Sequence, residues 1–389
     1  MLRLDRVFHP VGQGGFYTER FYFKEENIFN VVYDCGSLAG SNKPIAPKFA
    51  RNIVEKEFKQ GERINILFIS HFDLDHVNMI KDLQAEIDNV VMPLMSDEKL
   101  NSLILLNESL LGDNEKIIRK IANGTYDKIE KSKKIWVRQT SNIEREDDSY
   151  RLIGESENSV IVDSGVNILN EIDNSEFKIA DIWSYVPYNF KFKQRNQELK
   201  IDYLQNLIQA DIKKLSNADL QKIRRDYAAC KGTINENSMC VYSGFNIENS
   251  FNPLLLNHIY SSLYSSKPYV IKEEIGLNLN QPRRILCGAL YTGDANLNNT
   301  DLDEKLPHYL EHVGVFQVPH HGAENNFDLD RIIKLKNQNV ICPISYGTKN
   351  SYGHPSAHVL IKLMENGFSP LPITEKPQTK TIISIFLDW

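Results

Sequence analysis

Apolar residues in this chain gather in short runs that stop abruptly at polar turns. The run Ile64-Asn65-Ile66-Leu67-Phe68-Ile69 has strand length and is rich in β-branched and aromatic residues. It predicts a buried strand. Apolar pieces at 2–4 and 6–8 lead into a glycine turn, Val11-Gly12-Gln13-Gly14-Gly15, and 16–23 and 28–33 read as further strands. Phe49, Ile53, Val54 and Phe58 fall at helical spacing, which predicts a helix over 47–60 stopped near Gly61. A short helix over 77–87 and a strand at 90–92 follow.

Between 97 and 234 polar and charged residues dominate. Helices are predicted at 97–111, 113–122 and 217–230, with strand-like pieces at 135–137 and 160–162. This span reads as a large, partly helical cap inserted into one domain covering 1–389. Strand signals return at 239–242, 285–292, 313–318, 340–346 and 381–387, with helices over 329–336 and 356–366. The polar stretch 246–282 reads as a second insertion. The order of elements predicts a mixed α/β (α+β) fold.

Several strands end in residues that can hold a metal. Ser70-His71-Phe72-Asp73-Leu74-Asp75-His76 follows the 64–69 run directly. Asp34 lies in Tyr33-Asp34-Cys35-Gly36, and Asp294 in Thr292-Gly293-Asp294. His320 and His321 lie in Val318-Pro319-His320-His321-Gly322, and His354 in Tyr352-Gly353-His354-Pro355-Ser356. Imidazole nitrogen and carboxylate oxygen are ligands for catalytic divalent cations. Repeated strand-then-ligand units let distant sequence converge on one sheet edge.

This ordered set resembles the metallo-β-lactamase superfamily, closest to the hydrolase domain of ComEC-type proteins. The resemblance rests on the motifs above together with Val11-Gly12-Gln13-Gly14 and Asn235-Glu236-Asn237-Ser238-Met239. It implies an αββα four-layer sandwich with metals at one edge and the insertions over that edge. It also implies two divalent metal ions, zinc or manganese. His71 and Asp73 would hold one ion, Asp75, His76 and His320 the other, and Asp294 would bridge them. Asp34, Asn237 and His321 would support the ligands from behind. Asp75, Asp34 and His354 are the residues expected to carry the reaction, with His354 contacting a phosphate oxygen or protonating a leaving group. Asp73 replaces the superfamily's more common His, and Asn235-Asn237-Ser238 stands where a further His is usual. The first site is thus expected to be oxygen-rich, which favours manganese over zinc.

The activity implied is metal-dependent hydrolysis through a metal-bridging hydroxide, with a phosphodiesterase or nuclease acting on DNA or RNA as the leading reading. A hydrolase of a small ester, lactone, thioester or cyclic nucleotide is the alternative. A non-enzymatic, metal-stabilised interaction protein is the third, with a protein partner or a second copy of the chain bound through the insertion.

Composition narrows this only a little. The chain has 389 residues, 41% hydrophobic, and a net charge of -6, which argues against a strongly basic, non-specific nucleic-acid binder. Five scattered Cys without CxxC spacing suggest reduced thiols. With no apolar leader after Met1 and no membrane-length apolar stretch, a soluble, cytoplasmic protein is expected. His9, His258, His308, His312 and His358 are expected to be structural. Gly12, Gly14 and Gly15 do not match a dinucleotide-binding fingerprint and are expected to form a tight turn near the site. The basic clusters at 131–134 and 222–225 read as solvated faces.

Overall fold

Strand β1 (Leu2–Phe8) buries Leu2 and Leu4 and leaves Arg3 and Asp5 half-buried, the alternation of a sheet with one face packed. The computed structural model describes residues 2–39, 45–95, 104, 116–140, 158–172, 179–190, 238–247, 255–261, 269–271, 286–335 and 340–387. Asn235, Asn237 and the helices expected at 97–111 and 217–230 lie outside these residues, apart from Ile104, while 116–122 of the 113–122 stretch is described and forms the helix Ile117–Ala122.

The further strands are β2 (Phe16–Phe23), β3 (Glu26–Cys35), β4 (Arg63–Phe68), β5 (Glu86–Pro93), β6 (Lys133–Val137), β7 (Gln139–Thr140), β8 (Ser159–Val162) and β9 (Trp183–Phe190). They continue as β10 (Cys240–Phe245), β11 (Leu255–Ser261), β12 (Tyr269–Ile271), β13 (Gly288–Tyr291), β14 (Val313–Phe316), β15 (Ile341–Ser345), β16 (Ser369–Ile373) and β17 (Thr381–Leu387). Two mixed sheets result. One runs β12-β11-β17-β1-β2-β3-β4-β5-β6-β8, the other β16-β15-β14-β13-β10-β9-β7. The first is antiparallel from β12 to β3 and parallel from β3 to β8. The second is parallel from β16 to β13.

Phe21, Val31 and Phe68 of the first sheet share one buried cluster with Tyr185, Val241 and Tyr291 of the second, so the two sheets pack face to face. A second cluster joins the first sheet to Ala50 and Val54 of the helix Lys48–Glu57 and to Ile118 and Ile121 of the helix Ile117–Ala122. A third joins the second sheet to Leu302, Leu310, Val359 and Leu363. Each fully buried Val, Leu, Ile or Phe among them contributes about 1.5–3 kcal/mol.

Between the sheets lies a buried ion pair. Arg6 Nε donates to Glu19 Oε1 at 2.6 Å, and both side chains are almost fully excluded from solvent. Glu19 also accepts from the hydroxyls of Tyr185 (2.5 Å), Ser243 (2.7 Å) and Tyr291 (2.8 Å), and Arg6 donates to the Cys287 carbonyl at 3.0 Å. Every close acceptor and donor is thus used, as a buried charge requires.

Two expected helices are corrected. The helix over 77–87 shrinks to Leu74–Val77 and a 3-10 turn at Ile80–Asp82. Residues 76–80 are all buried, so the segment shows no amphipathic α-helical face. The helix over 329–336 is likewise a 3-10 segment, Asp330–Leu335. The span 97–234 does not stand clear of the sheets throughout, because β6, β7, β8 and β9 belong to them. Within 246–282, β11 and β12 extend the first sheet beside β17. All eight residues of β9 are buried. With both faces covered it shows no alternation, and Pro187 masks its strand signal further. Among the described residues, Cys35, Cys240, Cys287 and Cys342 are buried free thiols, and no helix is long and apolar enough to cross a membrane.

Candidate metal centre

Neighbouring parallel strands present their C-terminal ends on the same side. β3 and β4 do so in the first sheet, and β13, β14 and β15 in the second. Asp34 is at the end of β3, and residues 70–76 follow β4. Asp294 follows β13, His320 and His321 follow β14, and His354 follows β15. Because the sheets face each other, these loops meet at one edge.

Asp294 stands at the centre. Its Oδ1 lies 3.3 Å from His76 Nε2 and 3.9 Å from His321 Nε2. Its Oδ2 lies 3.9 Å from both His71 Nε2 and His320 Nε2. Asp75 Oδ2 is 3.5 Å from His321 Nε2, and Asp73 Oδ2 is 4.0 Å from His71 Nε2. Two sets have ligand atoms within 4.8 Å of one another: His71, His76 and Asp294, and Asp75, His76 and His321.

Three rings are turned so that Nε2 faces inward. His76 Nδ1 donates to Asp34 Oδ2 at 2.7 Å. His321 Nδ1 donates to the Ser345 carbonyl at 2.8 Å. The Ser70 hydroxyl donates to Asp34 Oδ2 at 2.8 Å and so accepts from His71 Nδ1 at 2.9 Å. Once a ring is neutral, tethering its Nδ1 fixes the tautomer that leaves Nε2 as a lone-pair ligand. The Nε2 atoms of His71, His76 and His321 are buried without a hydrogen-bond partner. Buried polar atoms are otherwise almost always paired, so these three orphans, aimed at one carboxylate, fit a cation. Their nitrogen and oxygen donors suit a divalent transition metal.

The surrounding backbone is shaped for this. Asp34 (φ 56°), His320 (φ 48°) and His321 (φ 56°) adopt the left-handed region, a strain of about 1–3 kcal/mol each that is typical of functional sites. Gly14 (φ 141°) abuts the carbonyls of Gly36 and Asp75, so a side chain there would displace the ligand loop. The glycine turn therefore does lie beside the site.

Charge follows geometry. Burial, reinforced by His76, pushes the His71 pKa down to about 3. Burial alone would also lower His76, but Asp294 and Asp34 hold it well above the ordinary value of 6.5. His321 is raised as well, since Asp294 and Asp75 outweigh its burial. Asp294 falls well below the carboxylate range despite burial, drawn down by His320, His76 and His321. Burial pushes Asp34 up, against its bonds to His76 and Ser70. Cation-free protein therefore keeps protons on His76 and His321, and a metal must displace them. Metal affinity is expected to rise with pH until the raised values of His76 and His321 are passed. Calorimetry in buffers of different ionisation enthalpy should show proton release on loading, and a pH-independent affinity would count against this.

The structure redistributes two histidines. His321, expected only as a support, joins Asp75 and His76. His320, expected in that group, lies instead on the His71 side of Asp294. That side carries two imidazoles, His71 and His320, each 3.9 Å from Asp294 Oδ2. Both rings follow from the consecutive left-handed residues, which send neighbouring side chains to different places. Asp34, His71, Asp73, Asp75, His76 and Asp294 are brought together at this edge. Asn237 lies outside the described residues. His354 is off the ligand groups, its ring 5.7 Å from that of His320, and burial lowers its pKa to about 4.

Sequence reasoning missed Ser70, Ser238 and Gln317 as supports. Ser238 Oγ accepts from the Asp294 backbone N–H at 2.9 Å and lies 3.1 Å from His71 Nδ1. Gln317 Oε1 accepts from the N–H groups of Thr292 (2.7 Å) and Gly293 (2.8 Å), locking the turn before Asp294. Small polar residues carry no distinguishing signal, although Ser70 directly precedes the first ligand. In comparisons with known proteins, no family model matches the chain and no curated protein matches its sequence.

Proposed function

We propose that this chain is a two-metal hydrolase of the metallo-β-lactamase sandwich class, acting on phosphodiesters of nucleic acid. The observation that carries the reading is the convergence on Asp294 of three tethered imidazoles, each with a buried Nε2 that has no hydrogen-bond partner. The helix–sheet–sheet–helix order of the three buried clusters supports the αββα class. His71, Asp73 and His320 would hold one cation and Asp75, His76 and His321 the other, with Asp294 between them. Bound divalent ions would supply an acidified water and charge neutralisation at the reacting group.

The chain's own residues do the rest. Asp34, Ser70 and the Ser345 carbonyl hold the imidazoles in the ligating tautomer. His354, kept neutral at pH 7 by its lowered pKa, can donate a hydrogen bond to a non-bridging phosphate oxygen. Its position at a partly exposed rim favours an extended substrate over one sealed in a small pocket. Protein carrying Zn²⁺ or Mn²⁺ is expected to hydrolyse bis-p-nitrophenyl phosphate and single-stranded oligonucleotides, with two ions per chain by elemental analysis. Folded, metal-loaded protein that cleaves carboxylic esters but no phosphodiester would move the reading to a small-ester hydrolase. Protein that binds no divalent ion would end it.

A further inference from the structure

Two aromatic rings stand exposed among the described residues, Phe49 and Tyr352, the latter at 51%. Tyr352 lies at the rim of the centre. Its ring is parallel to that of His354 within 14°, with centroids 6.0 Å apart. The His354 and His320 rings meet in a T-shaped contact with centroids 5.7 Å apart, and His320 Nε2 is 3.9 Å from Asp294 Oδ2. A row of rings thus leads from solvent to the central carboxylate.

The loop that carries Tyr352 is pinned by one side chain. Asn350 Oδ1 accepts from the backbone N–H groups of Tyr352 (3.1 Å) and His354 (3.2 Å). Its Nδ2 donates to the carbonyls of Gly347 and His354, both at 2.7 Å. The ring is therefore presented on a preformed loop, which lowers the entropic cost of using it. Lys349, exposed on the same loop, adds a positive charge beside it.

We propose that Tyr352 is the stacking platform for an unpaired nucleobase next to the phosphodiester held at the centre; this rests on the phosphodiesterase reading above. A nucleotide joins a planar base to a phosphate, and the rim offers a planar face at one end and the cation-fitting cluster at the other. Aromatic side chains bind single strands by such stacking, without sequence preference. In a duplex both faces of a base are already covered, so the platform selects single strands or frayed ends.

The test is binding of a phosphorothioate single strand carrying 2-aminopurine, using the full chain as purified. Tyr352→Ala is expected to weaken binding about 5- to 150-fold, the range that base–aromatic stacking spans. Tyr352→Trp should keep wild-type affinity. Quenching of 2-aminopurine should be present in wild type and lost in Tyr352→Ala. A strand abasic at that position should bind both proteins alike. Equal binding of the intact strand by wild type and Tyr352→Ala overturns the platform, as does a wild-type protein that does not distinguish it from the abasic strand. Turnover of bis-p-nitrophenyl phosphate by wild type reports separately on the hydrolase reading. If it persists while the stacking result fails, only the platform is lost.

Discussion

Asp294→Asn is expected to bring phosphodiesterase turnover to background and to strip the protein of tightly held metal. The substitution keeps the shape of the side chain and removes its charge. Four imidazole nitrogens, those of His71, His76, His320 and His321, lie within 3.9 Å of its two oxygens, and no other carboxylate is so placed among the described residues. Loss of a group that merely orients a ligand weakens metal binding roughly 10–100-fold; loss of the shared carboxylate should exceed that. The measurements are elemental analysis after dialysis and turnover of bis-p-nitrophenyl phosphate, with circular dichroism as the check on folding. Asp34→Asn, which loosens the His76 tether and the Ser70 hydroxyl that holds His71, should fall within the roughly 10–100-fold range. Full metal content and turnover in Asp294→Asn would remove the centre from the mechanism.

Glu19→Ala should give the largest loss of stability of any single substitution discussed here, about 3–5 kcal/mol. The change strands the buried Arg6 guanidinium between two sheets and removes the acceptor used by Tyr185, Ser243 and Tyr291. Surface ion pairs such as Arg138–Asp163, both substantially exposed, should cost under about 1 kcal/mol when broken. Replacing both partners with apolar residues, Arg6→Met with Glu19→Met, is expected to recover much of the loss, because no charge is then left uncompensated. Urea denaturation midpoints decide it. A Glu19→Ala protein as stable as wild type would show that the pair is not the junction the geometry describes.

Some parts of the centre were plain in the chain and others were not. Residues 71–76 and Asp294 stood out because an apolar run ending in a carboxylate or imidazole is a local pattern. The tether from Asp34 to His76 spans 42 positions, yet the strand-end turn at Asp34 marked it as a candidate. The resemblance made His320 a ligand and His321 a support, a split that local pattern could not check, since the two are adjacent and alike. Their fates depend on two left-handed backbone conformations and on a carbonyl at Ser345, 24 residues on. Strand β9 escaped because a strand covered on both faces has no periodicity to read. Arg6 and Glu19 are polar positions on two strands of the first sheet; the second sheet, which brings Tyr185, Ser243 and Tyr291 to Glu19, is what buries them.

The amino-acid order alone determined the kinds of elements and the chemistry on offer: short strands, polar turns at their ends, and imidazoles and carboxylates in those turns. These are local properties, set by side-chain pattern and backbone preference over a few residues. Only the tertiary structure decided which imidazole faces which oxygen, which serine holds which ring, and which charges lose water. Those outcomes depend on contacts between residues tens to hundreds of positions apart, and on the angles at which two packed sheets bring their edges together.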